Sequence, residues 1–526
     1  RFRSNPSYPL TRALTEFAPG NNILIDGLNY TSSGIILKNT YGESTQRTII
    51  QACRNCGYQR TVDFGRVTEN CPRCGHQNSF VGVDLENHRG SYTELVEPAG
   101  FSIDLFATPT RVISERTRPQ YLEPLLLNIE PWDSEQNGYL DFRSSSNEQE
   151  TQILFYNTGD GEGYSLCLDC GRVETSTERL NGHRRLRGGS DRNGESTCTA
   201  QNIREHIILG SKFKTDFTEI RLRNSDGSFV DNKRLAYSLG VIFTKSLASY
   251  LAIEESELGF GIKQYRGYRT IFIYDTAKGG AGYASQFSIY TKEILEQSLE
   301  KLDGCNCQNA CTRCLIDRSS QWHIEDLDRF LAIDWLRAAL DSQIPAELET
   351  EDARINTIFG SLYDEIKRMN YHYGIKQLNV HINCAIATWD IENLDWLENL
   401  KKEGIQINLV VEGKIDFKNN QELLSMHLLS YNYRLKQGVS RKLLNYPIHL
   451  ALTLENGTKL GYITKDEYVN LGPDWAHGAR ESVFKIEDID WIDYEELKLP
   501  SFESANLFES RISTIPKNSQ SNDLAK

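Results

Sequence analysis

The run Thr270-Ile271-Phe272-Ile273-Tyr274-Asp275-Thr276-Ala277-Lys278-Gly279-Gly280-Ala281-Gly282 passes from a β-branched and aromatic stretch into a glycine-rich turn. A continuous apolar run bounded by turn residues predicts a buried strand. Beyond the turn, Ile289, Ile294 and Leu299 predict a helix, and the chain then reaches Cys305, Cys307, Cys311 and Cys314, spaced C-x-C-x3-C-x2-C within ten residues. Two readings of the glycines stay open. They allow a strand to pack closely on a helix, or they cradle a phosphate at a helix N-terminus. The spacing is neither G-x-x-x-x-G-K-[ST] nor G-x-G-x-x-G, which favours packing.

Upstream of this stretch, Leu235, Leu239, Ile242, Phe243, Leu247 and Leu251 recur at helical spacing, the stripe of a core-facing helix. Downstream, residues 327–340 predict a further helix. Together they define a cysteine-bearing α/β domain over residues 161–348. Residues 1–160 read as β-rich, after a short helix at 10–17 stopped by Pro19 and Gly20, with a cysteine insertion of zinc-ribbon type at 51–80. Residues 349–509 alternate helix (391–400) with strands (378–382, 405–411, 447–454), which predicts a small α/β domain with a parallel sheet. An acidic stretch, residues 346–352, precedes it, and residues 510–526 read as a loose polar tail. The fold class is thus multidomain, mixing α/β and α+β.

Composition fits this division. A chain of 526 residues exceeds one ordinary core, and 39% hydrophobic with 25% charged residues indicates a globular protein. No apolar run is long enough to span a bilayer, so no membrane partner is expected. No secretory signal opens the chain, which implies a cytoplasmic location and reduced thiols. The start at Arg1 and the presence of two methionines, Met369 and Met426, lead us to expect a segment upstream. A net charge of −14 excludes a chain that coats nucleic acid by overall attraction, so any DNA contact must be a local basic patch.

Twelve cysteines in a reducing compartment need a reason other than disulfides. Cys53, Cys56, Cys71 and Cys74 form two C-x2-C pairs separated by fourteen residues, with Gly57 and Gly75 directly behind. Two such knuckles can aim four thiolates at one tetrahedral Zn2+ at about 2.3 Å each. Buried structural cysteines or a redox C-x-x-C pair are the alternatives, although no thioredoxin-like context surrounds the pairs. Cys167, Cys170, His183 and Cys198 can complete a site of three thiolates and one imidazole. His183 lies in a basic loop, so an exposed loop histidine is its other reading. The neighbouring Arg184, Arg185 and Arg187 are the candidate phosphate contacts, with a solvated charge run as the alternative. Cys305, Cys307, Cys311 and Cys314 are the third set, for zinc or, as competitor, an iron–sulfur cluster. Cys384 reads as a small buried hydrophobe.

Catalytic signals are sparse. Asp275, Asp303 and Asp317 stand near the third group, but the chain holds 72 carboxylates and proximity alone carries little. His381 and His477 could pair in a nuclease-like site, yet Asn383 stands where the H-x-K-x4-D pattern needs Lys. No helicase or ATPase motif is present, so no catalytic residue is assigned.

The run 273–284, the cysteine run 305–315 and Leu327-Asp328-Arg329 together resemble the MrfA-type zinc-binding domain, as does Thr215-Asp216-Phe217 ahead of the long helix. The resemblance covers residues 200–340, and it implies that Cys305, Cys307, Cys311 and Cys314 bind zinc. It also implies a place C-terminal to the core of a bacterial superfamily 2 helicase, in DNA repair or in antiphage systems such as DISARM and Druantia. Residues 12–30 resemble the segment that follows the second RecA-like lobe of such helicases. ATP would then act only through an upstream or partner motor. Residues 349–509 are compatible with a degenerate phospholipase-D-like fold. The expected function is a zinc-binding, DNA-positioning accessory region of an ATP-dependent helicase in antiviral defence. Its partners would be single-stranded or junction DNA, the motor in cis or in trans, and other defence subunits. A scaffold that docks a helicase without touching DNA, and a nuclease with a catalytic last domain, are the rivals.

Overall fold

The structure, a computed structural model, describes residues 7–37, 48–83, 85, 90–104, 107–111, 122–129, 132, 139–144, 151–186, 197–198, 200–317, 320–342, 355–358, 360–382, 394–412, 420–438, 442–443, 446–464, 483–487 and 494–501. The chain divides into two compact units. One comprises residues 1–136, 140–222 and 229–337, the other 137–139, 223–228 and 338–526.

The larger sheet of the first unit runs Val173–Glu174, Tyr164–Cys167, Ile203–Phe213, Thr93–Val96, Thr48–Cys53, Gln59–Asp63. The strand Ile203–Phe213 organises it. It pairs antiparallel with Gln152–Asn157 and Tyr164–Cys167, and parallel with Thr93–Val96. Strands from both sides of residue 160 therefore share one sheet, and the division expected there does not coincide with a break. Non-local pairing of this kind leaves no trace in local periodicity. The second cysteine group consequently sits at one end of the β-rich sheet and the first group near the other.

A second, four-stranded antiparallel sheet has the order Leu258–Tyr265, Tyr268–Asp275, Phe217–Leu222, Leu140–Ser144. The buried run 270–274 forms most of its second strand. The helix Lys233–Tyr250 lies on this sheet, begun by Asn232, whose side-chain oxygen accepts from Leu235 N at 3.2 Å. Leu239, Ile242, Phe243 and Leu247 are fully buried, each stabilising by about 1.5–3 kcal/mol relative to exposure. Gly240 lets the helix pack tightly on the sheet, because a Cβ there would lie 2.6 Å from the Phe260 ring. The helix Thr291–Asp303 and the turn Ser320–Asp326 cover its other faces.

In the second unit one sheet takes the order Ile355–Thr357, Val483–Glu487, Lys459–Thr464, Tyr446–Leu454, Ile375–Ile382, Gln406–Glu412, Arg434–Gly438, Glu495–Glu496. It is mixed, where the sequence suggested parallel. Ile375–Ile382, Gln406–Glu412 and Arg434–Gly438 are parallel, because the helices Asp395–Lys402 and Asn420–Ser430 separate them and supply the crossovers. Tyr446–Leu454 and Lys459–Thr464 form a hairpin through Gly457 (φ +90°), which forces antiparallel pairing. Arg187, Asn383, Cys384, His477, the acidic stretch and the tail lie outside the described residues. No described helix is long and apolar enough to cross a membrane.

Candidate metal centres

Three groups of side chains bring four ligand atoms each within 4.8 Å of one another: Cys53, Cys56, Cys71 and Cys74; Cys167, Cys170, His183 and Cys198; Cys305, Cys307, Cys311 and Cys314. All twelve residues picked out by spacing are in these groups. Around one tetrahedral zinc with bonds of about 2.3 Å, neighbouring sulfurs stand about 3.8 Å apart. The sulfur pairs measure 3.7 Å for Cys53 with Cys74 and for Cys56 with Cys71, 3.8 Å for Cys167 with Cys198, and 3.4–3.7 Å within the third group. These distances fit a single ion. An iron–sulfur cluster would hold its thiolates further apart, by the width of the cluster.

The same turn builds the paired knuckles. Behind Cys53, Cys71 and Cys167, the residue four positions on is Gly57, Gly75 or Gly171, and each donates its N–H to the cysteine carbonyl at 2.8–2.9 Å. All three glycines have φ between +68° and +80°, the left-handed region that side chains disfavour. Gly57 carries a second constraint, since a Cβ there would stand 2.9 Å from the Tyr265 ring. The first module's small core consists of Cys53, Cys71 and Phe80, with Cys56 and Tyr58 against it. A core made largely of ligands needs a cross-link, which a metal supplies.

His183 is buried, at 7% exposure, so it is not a loop histidine in solvent. Its Nε2 is 3.1 Å from Cys170 Sγ, and its Nδ1 lies 2.5 Å from the Leu180 carbonyl oxygen. A donor Nδ1–H fixes the tautomer that leaves Nε2 free to ligate, the usual support for a metal-bound imidazole. The basic loop is tied down at the same point: Cys198 N donates to His183 O at 2.8 Å, and Arg172 Nε donates to Arg184 O at 3.2 Å. Arg184 is exposed and Arg185 half-buried.

Around the third group, residues that spacing had not singled out hold the loop. Lys245, buried in the long helix, donates to the Cys314 carbonyl at 3.0 Å, and Arg329 donates to those of Cys307 (2.8 Å) and Leu302 (3.2 Å). Asp328 accepts from Phe330 N at 3.0 Å and so starts the next helix. The glycine turn is filled from inside the protein. The buried Asp275 carboxylate accepts from the N–H groups of Ala281 (2.6 Å), Tyr283 (3.2 Å) and Ala284 (2.8 Å), and Asp216 accepts from Gly282 N at 3.0 Å. Thr215 Oγ1 donates to Asp275 O at 2.7 Å. Donors that a phosphate would need are already engaged, so the turn is a packing element. Asp275, set aside in the sequence as one carboxylate among many, is its keystone. Asp317 closes a turn with Ser320 N at 2.7 Å, and Asp303 pairs with Arg337 at 3.1 Å.

Electrostatics fit cation binding. Without a cation, four close thiols cannot ionise together, and each group splits. In the first, hydrogen bonds from the Asn55 side chain and the His76 backbone pull Cys74 down to about 6, while burial pushes Cys56 well above the usual thiol range. In the second, the hydrogen bond with Cys170 pulls Cys167 down to about 5. In the third, the Arg313 backbone N–H and then the Cys305 contact pull Cys311 down to about 6, and burial pushes Cys307 up to about 12. A divalent ion removes the conflict by stabilising every thiolate.

His381 is 1% exposed and its Nε2 is 2.9 Å from the Tyr494 hydroxyl.

Comparison with known proteins gives the context. Residues 239–315 match the MrfA Zn-binding domain. Druantia protein DruE of Escherichia coli (strain UMEA 4076-1) is 25% identical over 382 residues, 65% of this chain and 20% of DruE, so the chain spans about a fifth of that relative. An uncharacterised protein of Methanocaldococcus jannaschii is 32% identical over 94 residues, which are 17% of this chain and 84% of the archaeal one. Among solved structures, the DUF1998 helicase MrfA bound to DNA overlaps 42% of this chain and 25% of its own, at 12% identity and a TM-score of 0.27. The matched domain and the three tetrads support zinc as the metal. The chain belongs to the same family as the uncharacterised archaeal protein, and its residues 239–315 match the MrfA Zn-binding domain.

Proposed function

We propose that this chain is a zinc-stabilised accessory region that positions DNA beside an ATP-dependent superfamily 2 helicase motor, in defence against phage. Each tetrad holds one structural Zn2+: Cys53, Cys56, Cys71 and Cys74 the first, Cys167, Cys170, His183 and Cys198 the second, Cys305, Cys307, Cys311 and Cys314 the third. A site closed by four protein ligands has no open position, so zinc here supplies folding free energy rather than catalysis. The observation that carries the reading is the alignment with the Druantia protein over 65% of the chain. MrfA, for which the domain is named, is itself described as a helicase bound to DNA. The motor lies upstream in the same polypeptide or on a partner subunit, and ATP enters only there.

Within the chain, the second tetrad supports a DNA-contact role for Arg184 and Arg185, because His183 pins the loop that carries them, and Arg187 follows two residues on in the sequence. The net charge of −14 favours one other reading, a scaffold that docks the motor and leaves DNA alone. Fluorescence anisotropy with labelled single- and double-stranded DNA over a salt series separates the two. Binding that weakens with salt, and loses about two units of log–log slope on single strands when the three arginines become alanine, supports DNA positioning. Absence of binding at low salt leaves the scaffold.

A further inference from the structure

A cavity of about 230 Å³ opens in the first unit between the first zinc knuckle and the four-stranded sheet, with Trp132, Arg143, Lys263, Tyr265 and Tyr268 in its walls beside Arg73 of the knuckle. Its polar groups are unevenly satisfied. The fully buried Glu219 carboxylate accepts from Arg143 Nε (2.7 Å), Tyr265 Oη (2.9 Å) and Thr270 Oγ1 (2.5 Å), so its hydrogen bonds go to these three groups. Lys263 is not so provided for. It is 4% exposed, and among the described residues its ammonium, with three donors, has one hydrogen bond, to Leu126 O at 3.3 Å. The indole Nε1 of Trp132 is also buried with no hydrogen-bond partner among the described residues. Leaving such donors unsatisfied costs about 1–3 kcal/mol each, more for a charge, so an acceptor that meets them is stabilised.

The rest of the wall is aromatic and flat. Tyr265 and Tyr268 stack with centroids 4.8 Å apart and planes 7° from parallel, and the Lys263 ammonium lies 5.3 Å from the Tyr265 ring. One turn of an α-helix, about 10 Å wide and 5.4 Å long, encloses about 400 Å³ and does not fit. A planar ring that lies along the tyrosine pair, whose Tyr268 also packs on Phe229 with centroids 5.1 Å apart, and that offers acceptors on its edge does. Of the four bases, guanine presents two adjacent acceptors, O6 and N7, the pair that lysine and arginine read. We propose that this cavity is a subsite for one unpaired guanine, held beside Tyr265 and Tyr268 with its O6/N7 edge toward Lys263 and Trp132. The inference rests on the DNA reading above for the origin of that base in a single strand; a free guanine nucleotide has the same chemistry.

The three cations have a competing duty, since zinc on four thiolates carries a net charge of −2 at Cys56 and Cys74, which also line the cavity. The test separates these roles. Anisotropy with labelled single strands of cytosine, with and without one central guanine, would be measured on the full chain, its Tyr268→Ala, Tyr268→Phe and Lys263→Gln variants, and the triple arginine variant, with zinc counted in each. The subsite predicts about tenfold tighter binding of the guanine strand. That preference should be lost in Tyr268→Ala and Lys263→Gln, kept in Tyr268→Phe, with zinc content unchanged. DNA binding without base preference, or a Lys263→Gln variant that loses zinc while keeping the preference, overturns it and leaves the DNA reading standing. If the wild type binds no DNA, that reading fails, and guanosine monophosphate titrated against tryptophan fluorescence decides the pocket. Quenching abolished by Tyr268→Ala retains it for a free nucleotide, and no quenching overturns it.

Discussion

Replacing Asp275 with asparagine tests the reasoning about the glycine turn. One carboxylate oxygen accepts from Ala281 N (2.6 Å) and Tyr283 N (3.2 Å), the other from Ala284 N (2.8 Å), and both Asp275 and Ala284 are fully buried. An amide keeps one acceptor. In its better orientation the oxygen retains two of the three bonds, each weakened by loss of the charge, and the NH2 group faces the Ala284 N–H. An orphaned buried donor costs about 1–3 kcal/mol, and two bonds losing charge assistance cost about 1 kcal/mol each, so the expected loss is about 3–5 kcal/mol. Urea unfolding of wild type and Asp275→Asn, followed by tryptophan fluorescence, measures it. The midpoint should fall while the first tetrad, on the other sheet, keeps its zinc. An unchanged midpoint, or a gain in nucleotide phosphate binding as the negative charge is removed, would refute the packing account.

Cys311→Ser should release one zinc per chain and expose the segment around residues 305–314 to protease, as read by metal analysis and limited proteolysis; an unchanged zinc count sinks that tetrad. His183→Ala should release one zinc and open the arginine loop to trypsin, with the other two sites intact. Burial pulls Lys263 down from 10.5 to about 8, so between those pH values the unfolded chain holds a proton that the folded chain has released. Stability should therefore rise with pH across that window. A Lys263→Met variant should lack the rise, measured as urea midpoints from pH 7.5 to 10.5. Lys245→Met should take the Lys245 donor from the carbonyls of buried Cys314 and half-buried Ile316 and speed zinc transfer to a chelator from the third tetrad alone.

The ligand sets were legible because their information is local. A C-x2-C pair fits one turn, and Gly57, Gly75 and Gly171 mark where the backbone must go left-handed behind the sulfurs. The helix Lys233–Tyr250 was equally plain, since its stripe of apolar residues is the stripe it buries. What escaped was everything made by distant pairing. Ile203–Phe213 joins strands from both sides of residue 160, and nothing in its own pattern says so. The mixed sheet of the second unit escapes the sequence because only residues 447–454, the first strand of the hairpin at Gly457, stand out there, and their pairing partner Lys459–Thr464 does not. The group Arg143, Glu219, Lys263 and Tyr265 lies on three different strands, each an ordinary alternation of polar and apolar residues until the register aligns them. The DruE alignment adds a relative to this picture, and the geometry adds what holds each ligand.

The central claim is that zinc holds a DNA-contacting loop in place. Its most direct measurement is zinc content and single-strand DNA affinity, taken together, for wild type and Cys170→Ser at low salt. The account predicts one zinc fewer per chain and an affinity reduced to that of the triple arginine variant, with the first and third tetrads still loaded. Loss of that zinc with affinity unchanged would contradict it.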